Sequence, residues 1–281
     1  MTRESPKLLA QRLLRGLGFY HRLKASRLYD LYWRAADRSV VDDVDKEIQF
    51  YRQVFSGFRP GDVIFDVGAN QGYKTLIFLR LGAKVVAVEP DELNKGILEQ
   101  KFLRYRLNPK PVVIVNRAVS DEDGTTTIWI DEPGSAKNTL SRKWVETLRA
   151  DEKRFGHALE FRQSKQIATT TLEQLMIAHG VPFFIKIDVE GHELSVLRGM
   201  KRPVPLLSFE VNLPEFRADG LQCIELLTKL DEAGKFNYTA DCRKGLALDE
   251  WLGPREFSRV LSQCEDESIE VLCKTSSTLG R

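Results

Sequence analysis

The stretch that decides the fold runs from Val63 to Pro90 and reads VIFDVGANQGYKTLIFLRLGAKVVAVEP. Val63 to Val67 is a short apolar run of strand type, and Tyr73 to Leu81 carries apolar residues at helical spacing. Lys84 to Glu89 is a second apolar run. Between the first run and the helix lies a loop with glycines at positions 68 and 72, where the backbone can turn tightly. Such a unit opens a sheet of parallel strands whose ligands lie beyond the carboxyl ends of the strands.

Working outward, Asp91 to Leu107 reads as a second helix and Val112 to Asn116 as a third strand, completing a β-α-β-α-β half. Thr125 to Ile130 and Ile167 to Thr171 read as strands. Regular alternation then resumes, with a helix at Leu172 to His179, a strand at Phe183 to Asp188 and a helix at Glu193 to Met200. A strand at Leu206 to Val211, a helix at Leu221 to Ala233 and terminal strands near Asn237 to Ala240 and Ile269 to Lys274 follow. The expected fold is α/β and Rossmann-like, doubly wound, with a mostly parallel seven-stranded sheet. Residues 131–166, rich in Lys and Arg with scattered aromatics, are the least legible, and an insertion of this kind commonly forms part of a substrate site.

Upstream, Leu8, Leu9, Leu13 and Leu17, then Leu28, Leu31, Tyr32 and Ala35, recur at helical spacing, and Asp42 to Phe55 also reads as helix. The turn Arg59-Pro60-Gly61-Asp62 is the expected boundary between a helical extension, 1–60, and a core domain, 61–281. Nine of the first forty residues are Lys or Arg against three acids, while the whole chain is only +2. That local basicity argues against nucleic acid as the partner of the whole molecule. Basic and aromatic residues interleave at Tyr20, Arg22, Arg27, Tyr29, Tyr32, Trp33 and Arg34, which suits a membrane surface or a docking partner, although a helical lid over the cofactor crevice is the preferred reading. No apolar run approaches the ~18 to 20 residues of a membrane span. The leucines of Met1 to Gly18 are broken by Gln11, Arg12 and Arg15, unlike a signal peptide. Four cysteines without a CxxC pair signal neither a disulfide framework nor zinc. Together these features lead us to expect buried thiols and a cytoplasmic protein.

The first loop reads Asp66-Val67-Gly68-Ala69-Asn70-Gln71-Gly72, a G-x-x-x-G spacing and not the G-x-G-x-x-G of dinucleotide folds. The third glycine, which lets helix and sheet pack closely, is missing from that pattern, so a nicotinamide-dependent oxidoreductase is the less favoured alternative. Glu89-Pro90 stands 23 residues beyond Asp66, where a carboxylate can accept from both hydroxyls of a ribose. These features suit an adenosine ligand without a pyrophosphate, S-adenosylmethionine (SAM), with Asp66 as an acceptor for its ammonium. Ala118, in the run Asn116 to Asp121, is small enough to flank an adenine ring, although an ordinary strand-to-loop transition reads the same way.

Lys186, Asp188 and Glu190 are two apart at the end of the fourth parallel strand, so they share a face if the strand persists that far. Charges there are costly unless paired or functional. Lys186, Asp188, Glu190 and His192 are therefore the candidates for aligning a nucleophile and removing its proton, with Asp188 also a candidate cofactor contact. Taken alone, His192 reads first as a residue that starts a helix. Glu210 and Asn212, at the end of the next strand, could join Asp188 in an oxygen-ligand cluster for Mg²⁺, resembling catechol-type methyltransferases. Acids and amides at strand ends also occur without a metal, which is the preferred reading.

Phe65 to Gly72, Glu89-Pro90, Ala118 to Asp121 and above all Ile185 to Glu193 resemble the FkbM family of SAM-dependent methyltransferases, over about Val63 to Asn212. The resemblance implies a class I methyltransferase core that O-methylates a hydroxyl on a sugar, glycan or polyketide-like metabolite. It also implies that Asp66, Gly68, Asn70, Gly72 and Glu89 contact SAM and that Lys186 to Glu193 face the reacting groups. A catalytically weak SAM-binding module, docked to a membrane or a glycan-assembly partner, is the alternative from another class.

Overall fold

The structure is a computed structural model and describes residues 39–107, 111–151, 154 and 159–276. The basic stretch 1–38 lies outside the described residues, so the readings placed on it are not addressed. Among the described residues, no helix is long and apolar enough to cross a membrane. All four cysteines are free and buried.

A seven-stranded sheet forms the centre. Its strands are β1 (Val63–Val67), β2 (Lys84–Val88), β3 (Val112–Val115), β7 (Phe184–Ile187), β8 (Leu206–Asn212), β9 (Lys235–Thr239) and β10 (Ser268–Lys274). Their spatial order is β3-β2-β1-β7-β8-β10-β9. β1 pairs in parallel with β2 and β7, and β7 with β8, while β10 lies antiparallel between β8 and β9. Strands buried on both faces are apolar on both, and β1 and β7 depart from this only at Asp66 and Lys186, which are register partners. Phe65 and Val67 enter one core with Ile185, Ile187, Leu207 and Phe209. Ile64 enters the other with Val85, Ala87, Phe184 and Leu206.

The helices cover both faces. They are α1 (Ser39–Val54), α2 (Tyr73–Arg80), α3 (Glu92–Lys101), α4 (Leu103–Leu107), α5 (Arg142–Ala150), α6 (Leu172–His179), α7 (Glu193–Arg198), α8 (Arg217–Leu230) and α9 (Pro254–Gln263). The single helix expected over Asp91 to Leu107 is thus two, α3 and α4. Helix α1 packs into the same core as the sheet: the Tyr51 ring lies 5.1 Å from Phe78, and the Phe55 ring 4.9 Å from Phe184. Asp91 starts α3 by accepting the amides of Leu93 and Asn94, and Ser141 and Thr171 start α5 and α6 in the same way.

A second, three-stranded sheet stands beside the first, ordered β4 (Ala118–Val119), β6 (Gln163–Thr170) and β5 (Gly124–Ile130). The loop after β5 folds back so that Thr139 pairs with Trp129. Helix α5 then buries Trp144, Val145 and Leu148. The stretch that was opaque in the sequence is thereby a wall beside the carboxyl ends of β1, β2 and β7.

Candidate active site

At those carboxyl ends the backbone makes a crevice of about 700 Å³, counted open to solvent. Gly68 takes φ +81°, and its amide and that of Ala69 both donate to the Val88 carbonyl at 3.0 Å. A methyl group on Gly68 would lie 2.8 Å from the Asp188 carbonyl carbon and closer still to its oxygen. Only glycine therefore lets the first loop lie against the end of β7. Asn70, at φ +47°, turns its amide onto Glu89 Oε2 at 2.8 Å, and the Asp91 amide donates to Oε1 at 2.9 Å.

Each Glu89 oxygen keeps one lone pair, and Glu89 lines the crevice. Burial pushes its pKa up to about 7, against the lowering effect of the two amides. Two further acceptors in the same wall have no partner, the buried Oδ1 atoms of Asn70 and Asn94. A buried acceptor without a donor is costly, so this wall is built for a ligand rich in hydroxyl, amine or ammonium groups. Asn94 was missed in the sequence, where it is simply a polar residue in the first turn of a helix.

Not every glycine and acid of the motif reaches the crevice. Asp66 is 1% exposed and accepts from Thr75 Oγ1 at 2.5 Å, beneath the crevice floor and not among its lining residues. Burial raises its pKa, and the Lys186 ammonium opposes that rise. Gly72 also lies behind the wall: a methyl there would meet Phe102 at 2.5 Å and Leu98 at 2.6 Å. It does the close-packing job of the glycine that the pattern seemed to lack. Ala118 does line the crevice, with Arg117, Val119 and Ile128.

The end of the fourth parallel strand departs from a simple extrapolation. β7 stops at Ile187, and Glu190 and Gly191 take φ +55° and +88°, so Lys186, Asp188 and Glu190 do not share a strand face. The turn nevertheless gathers acids. Carboxylate oxygens of Asp188, Glu190 and Glu210 lie within 4.8 Å of one another. They form an oxygen donor set of the kind that hard cations take, with Glu190 where the sequence suggested Asn212. The Asn212 amide instead donates to Glu210 Oε2 at 3.2 Å.

The charges in this cluster are unequal. Lys186, 4% exposed, holds Asp188 Oδ2 at 2.6 Å. Burial works to raise the Asp188 pKa, but the Lys186 ammonium outweighs it and the pKa is lowered. Burial and the Asp188 charge push Glu190 up to about 8 and carry Glu210 well above the ordinary range. Asp188 therefore holds its charge more readily than its two neighbours. Trp144 Nε1 donates to Glu190 Oε2 at 3.1 Å, and the Thr139 hydroxyl donates to the Glu190 carbonyl at 2.6 Å. Both clamps come from the segment 131–166.

His192 opens α7 without capping it through its side chain, and its Nε2 lies 3.1 Å from Ser120 Oγ. Burial lowers its pKa. It stands outside the first crevice, on the wall of a second one, so the helix-start reading describes its place in the fold.

The sequence matches the Methyltransferase FkbM domain over residues 66–236, more than half of the chain. The chain belongs to the FkbM methyltransferase domain family. A curated relative, the 31-O-demethyl-FK506 methyltransferase FkbM of Streptomyces tacrolimicus, is 30% identical over 186 residues, which cover 55% of this chain and 69% of that protein. The hexuronic acid methyltransferase AglP of Haloferax volcanii is 26% identical over 181 residues, 64% of this chain and 64% of AglP; the alignment thus spans less than two thirds of that relative. A TehB-like SAM-dependent methyltransferase from Corynebacterium glutamicum aligns over 89% of this chain and 97% of its own at 10% identity, with a TM-score of 0.41. The FkbM match contains the first loop, Glu89, the acidic turn and Glu210.

Proposed function

We propose that this chain is a SAM-dependent O-methyltransferase acting on a hydroxyl of a sugar, glycan or secondary metabolite. The observation that carries the reading is the junction of two features: a crevice walled by unpartnered acceptors and Glu89, and an acidic cluster at its end. Glu89, Asn70 and Asn94 have the chemistry to hold ribose hydroxyls and an amine, and Ala118, Val119 and Ile128 offer an apolar face for a purine ring. The printed activities of the two curated relatives, on FK506 and on a hexuronic acid, support a hydroxyl-bearing acceptor.

When bound, the donor supplies a methyl group on a cationic sulfur, and the acceptor oxygen forms its C–O bond as the C–S bond breaks with the electron pair left on sulfur. The chain's task is alignment and proton removal. Glu190 and Glu210, which take up a proton more readily than Asp188, orient the hydroxyl by hydrogen bonds. Asp188, held ionised by Lys186, takes up the hydroxyl proton as positive charge grows on the acceptor oxygen. Asp66 acts indirectly, fixing Thr75 and contributing negative charge near Lys186.

The test is transfer of a labelled methyl group from SAM to fractionated cell glycans and metabolites by wild type, Glu89→Ala and Asp188→Asn. Labelling that falls in both variants is expected. Equal labelling by all three proteins would overturn the assignment.

A further inference from the structure

A second crevice lies against the first. The start of α7 and the end of β8 form its floor, residues 140–143 one wall, and Phe216 with the first turn of α8 the other. Leu140 lines both crevices. The acidic cluster is the seam between them: Asp188 and Glu190 line the first crevice, Glu210 the second, and their oxygens are within 4.8 Å. A molecule in the second crevice thus reaches the same carboxylates as a molecule in the first.

The second crevice has two unlike poles. At the seam, Glu193 is tied to the amides of Val189 and Gly191 at 3.0 and 3.3 Å. With Glu210 beside it, this pole is lined by carboxyl groups. At the rim stand Arg142, Lys143 and Arg198. Lys143 sits 4.4 Å above the Phe216 ring and 2.6 Å from Asp219 Oδ2, and Arg142 reaches back to Glu146 on its own helix. Three cationic side chains line the rim beside one carboxylate, that of Asp219, and one aromatic ring. The seam repels an anion and welcomes a hydroxyl, whereas the rim attracts an anion.

We propose that the second crevice holds the methyl acceptor and that this acceptor is an anionic hydroxy compound, its carboxylate or phosphate held by Arg142 and Lys143 and its hydroxyl presented at the seam. The proposal rests on the methyl-transfer reading above and adds a location and a charge to it. Phe216 supplies a flat face for the body of the acceptor, and Leu140 separates acceptor from donor.

The experiment uses the full chain. Calorimetric titration with S-adenosylhomocysteine first reports the donor crevice. Cell extract is then labelled with methyl-labelled SAM, and products are divided on an anion-exchange resin into retained and unretained fractions. Label in the retained fraction is expected. Phosphatase treatment of the labelled products distinguishes a phosphate, whose label moves to the unretained fraction, from a carboxylate, whose label stays retained.

The retained acceptor fraction then serves as substrate in a dilution series for wild type and Arg142→Glu/Lys143→Glu. These side chains are 82% and 50% exposed, so the fold should tolerate the change. The charge-reversed protein should raise KM about ten-fold or more with kcat within about two-fold, while Arg142→Lys/Lys143→Arg restores KM. Arg198→Glu is a second route to the same readout. Label confined to the unretained fraction overturns the anionic acceptor while methyl transfer stands. An unchanged KM in both charge-reversed proteins overturns the location. A chain that binds no S-adenosylhomocysteine, or labels neither fraction, removes the methyl-transfer reading and this proposal with it.

Discussion

Replacing Glu89 with Gln separates two effects of one carboxylate. In the fold, its oxygens accept the Asn70 and Asp91 amides at 2.8 and 2.9 Å, and burial pushes its pKa from 4.5 to about 7. The folded state therefore keeps a proton that the unfolded chain releases earlier. Because the folded pKa is the higher one, wild-type stability falls as pH rises from about 4.5 to about 7 and is level above that, a span of about 3 kcal/mol. Glu89→Gln abolishes this slope. It also turns one acceptor into an NH₂ group facing a backbone N–H, at a pH-independent cost of about 1–3 kcal/mol. The variant should be the less stable protein at pH 5 and should close the gap, or overtake, by pH 8. At the ligand, the loss of one charge-assisted acceptor is worth about 1.5–3 kcal/mol, or about ten- to hundred-fold in Kd. Urea unfolding at pH 5 and pH 8, with calorimetric titration of S-adenosylhomocysteine at pH 8, reads both effects. The reasoning is refuted by parallel pH dependence of the two proteins, or by a Kd within about three-fold of wild type.

Gly68→Ala should lower stability by more than about 3 kcal/mol, since backbone lies on both sides of the new methyl. Gly61→Ala, at φ +98° with nothing within 4 Å, should lose only about 1 kcal/mol; equal shifts in Tm would contradict the close approach to Asp188. Trp144→Phe keeps the ring but deletes the 3.1 Å bond to Glu190, which holds that pKa down. The limb of the transfer pH profile near pH 8 should move upward, and an unmoved limb would detach Glu190 from the reaction. Lys186→Met leaves Asp188 and Asp66 without their buried cation, at a cost of about 3–5 kcal/mol at pH 7. The Asp188 pKa then rises above its unfolded value and that of Asp66, already raised, climbs further, so the loss should shrink near pH 4 as the acids take up protons; a loss of the same size at both pH values would argue against the pairing.

The central sheet was legible because its strands are buried on both faces, which leaves Val63 to Val67 and Phe184 to Ile187 apolar except at Asp66 and Lys186. The first loop was legible because φ +81° and +73° at Gly68 and Gly72 admit few residues other than glycine. What each glycine touches was not, because Phe102, Leu98 and the Asp188 carbonyl come from distant sequence. The acidic turn misled in a specific way: alternation of Lys186, Asp188 and Glu190 suggested one strand face, while Gly191 already signalled a break. Helix α5 escaped notice because it has only three buried apolar residues among basic ones, although Ser141 before Trp144 is an ordinary helix start. Helix α9 carried readable signals in Gly253, Pro254 and Glu256, and it went unread as well.

The antiparallel strand β10 has a consequence for how the molecule is made. It is synthesised after the other described strands yet sits between β8 and β9. Until residues 268–274 leave the ribosome, β8 presents an unpaired edge close to Glu210, and β9 has no strand to join. Closing the sheet requires threading this final segment into a waiting slot, a long-range step that is slow compared with helix formation. The half-built sheet is therefore the species most open to aggregation, and Glu210 gains the Ser268 hydroxyl, at 2.9 Å, only when that slot is filled.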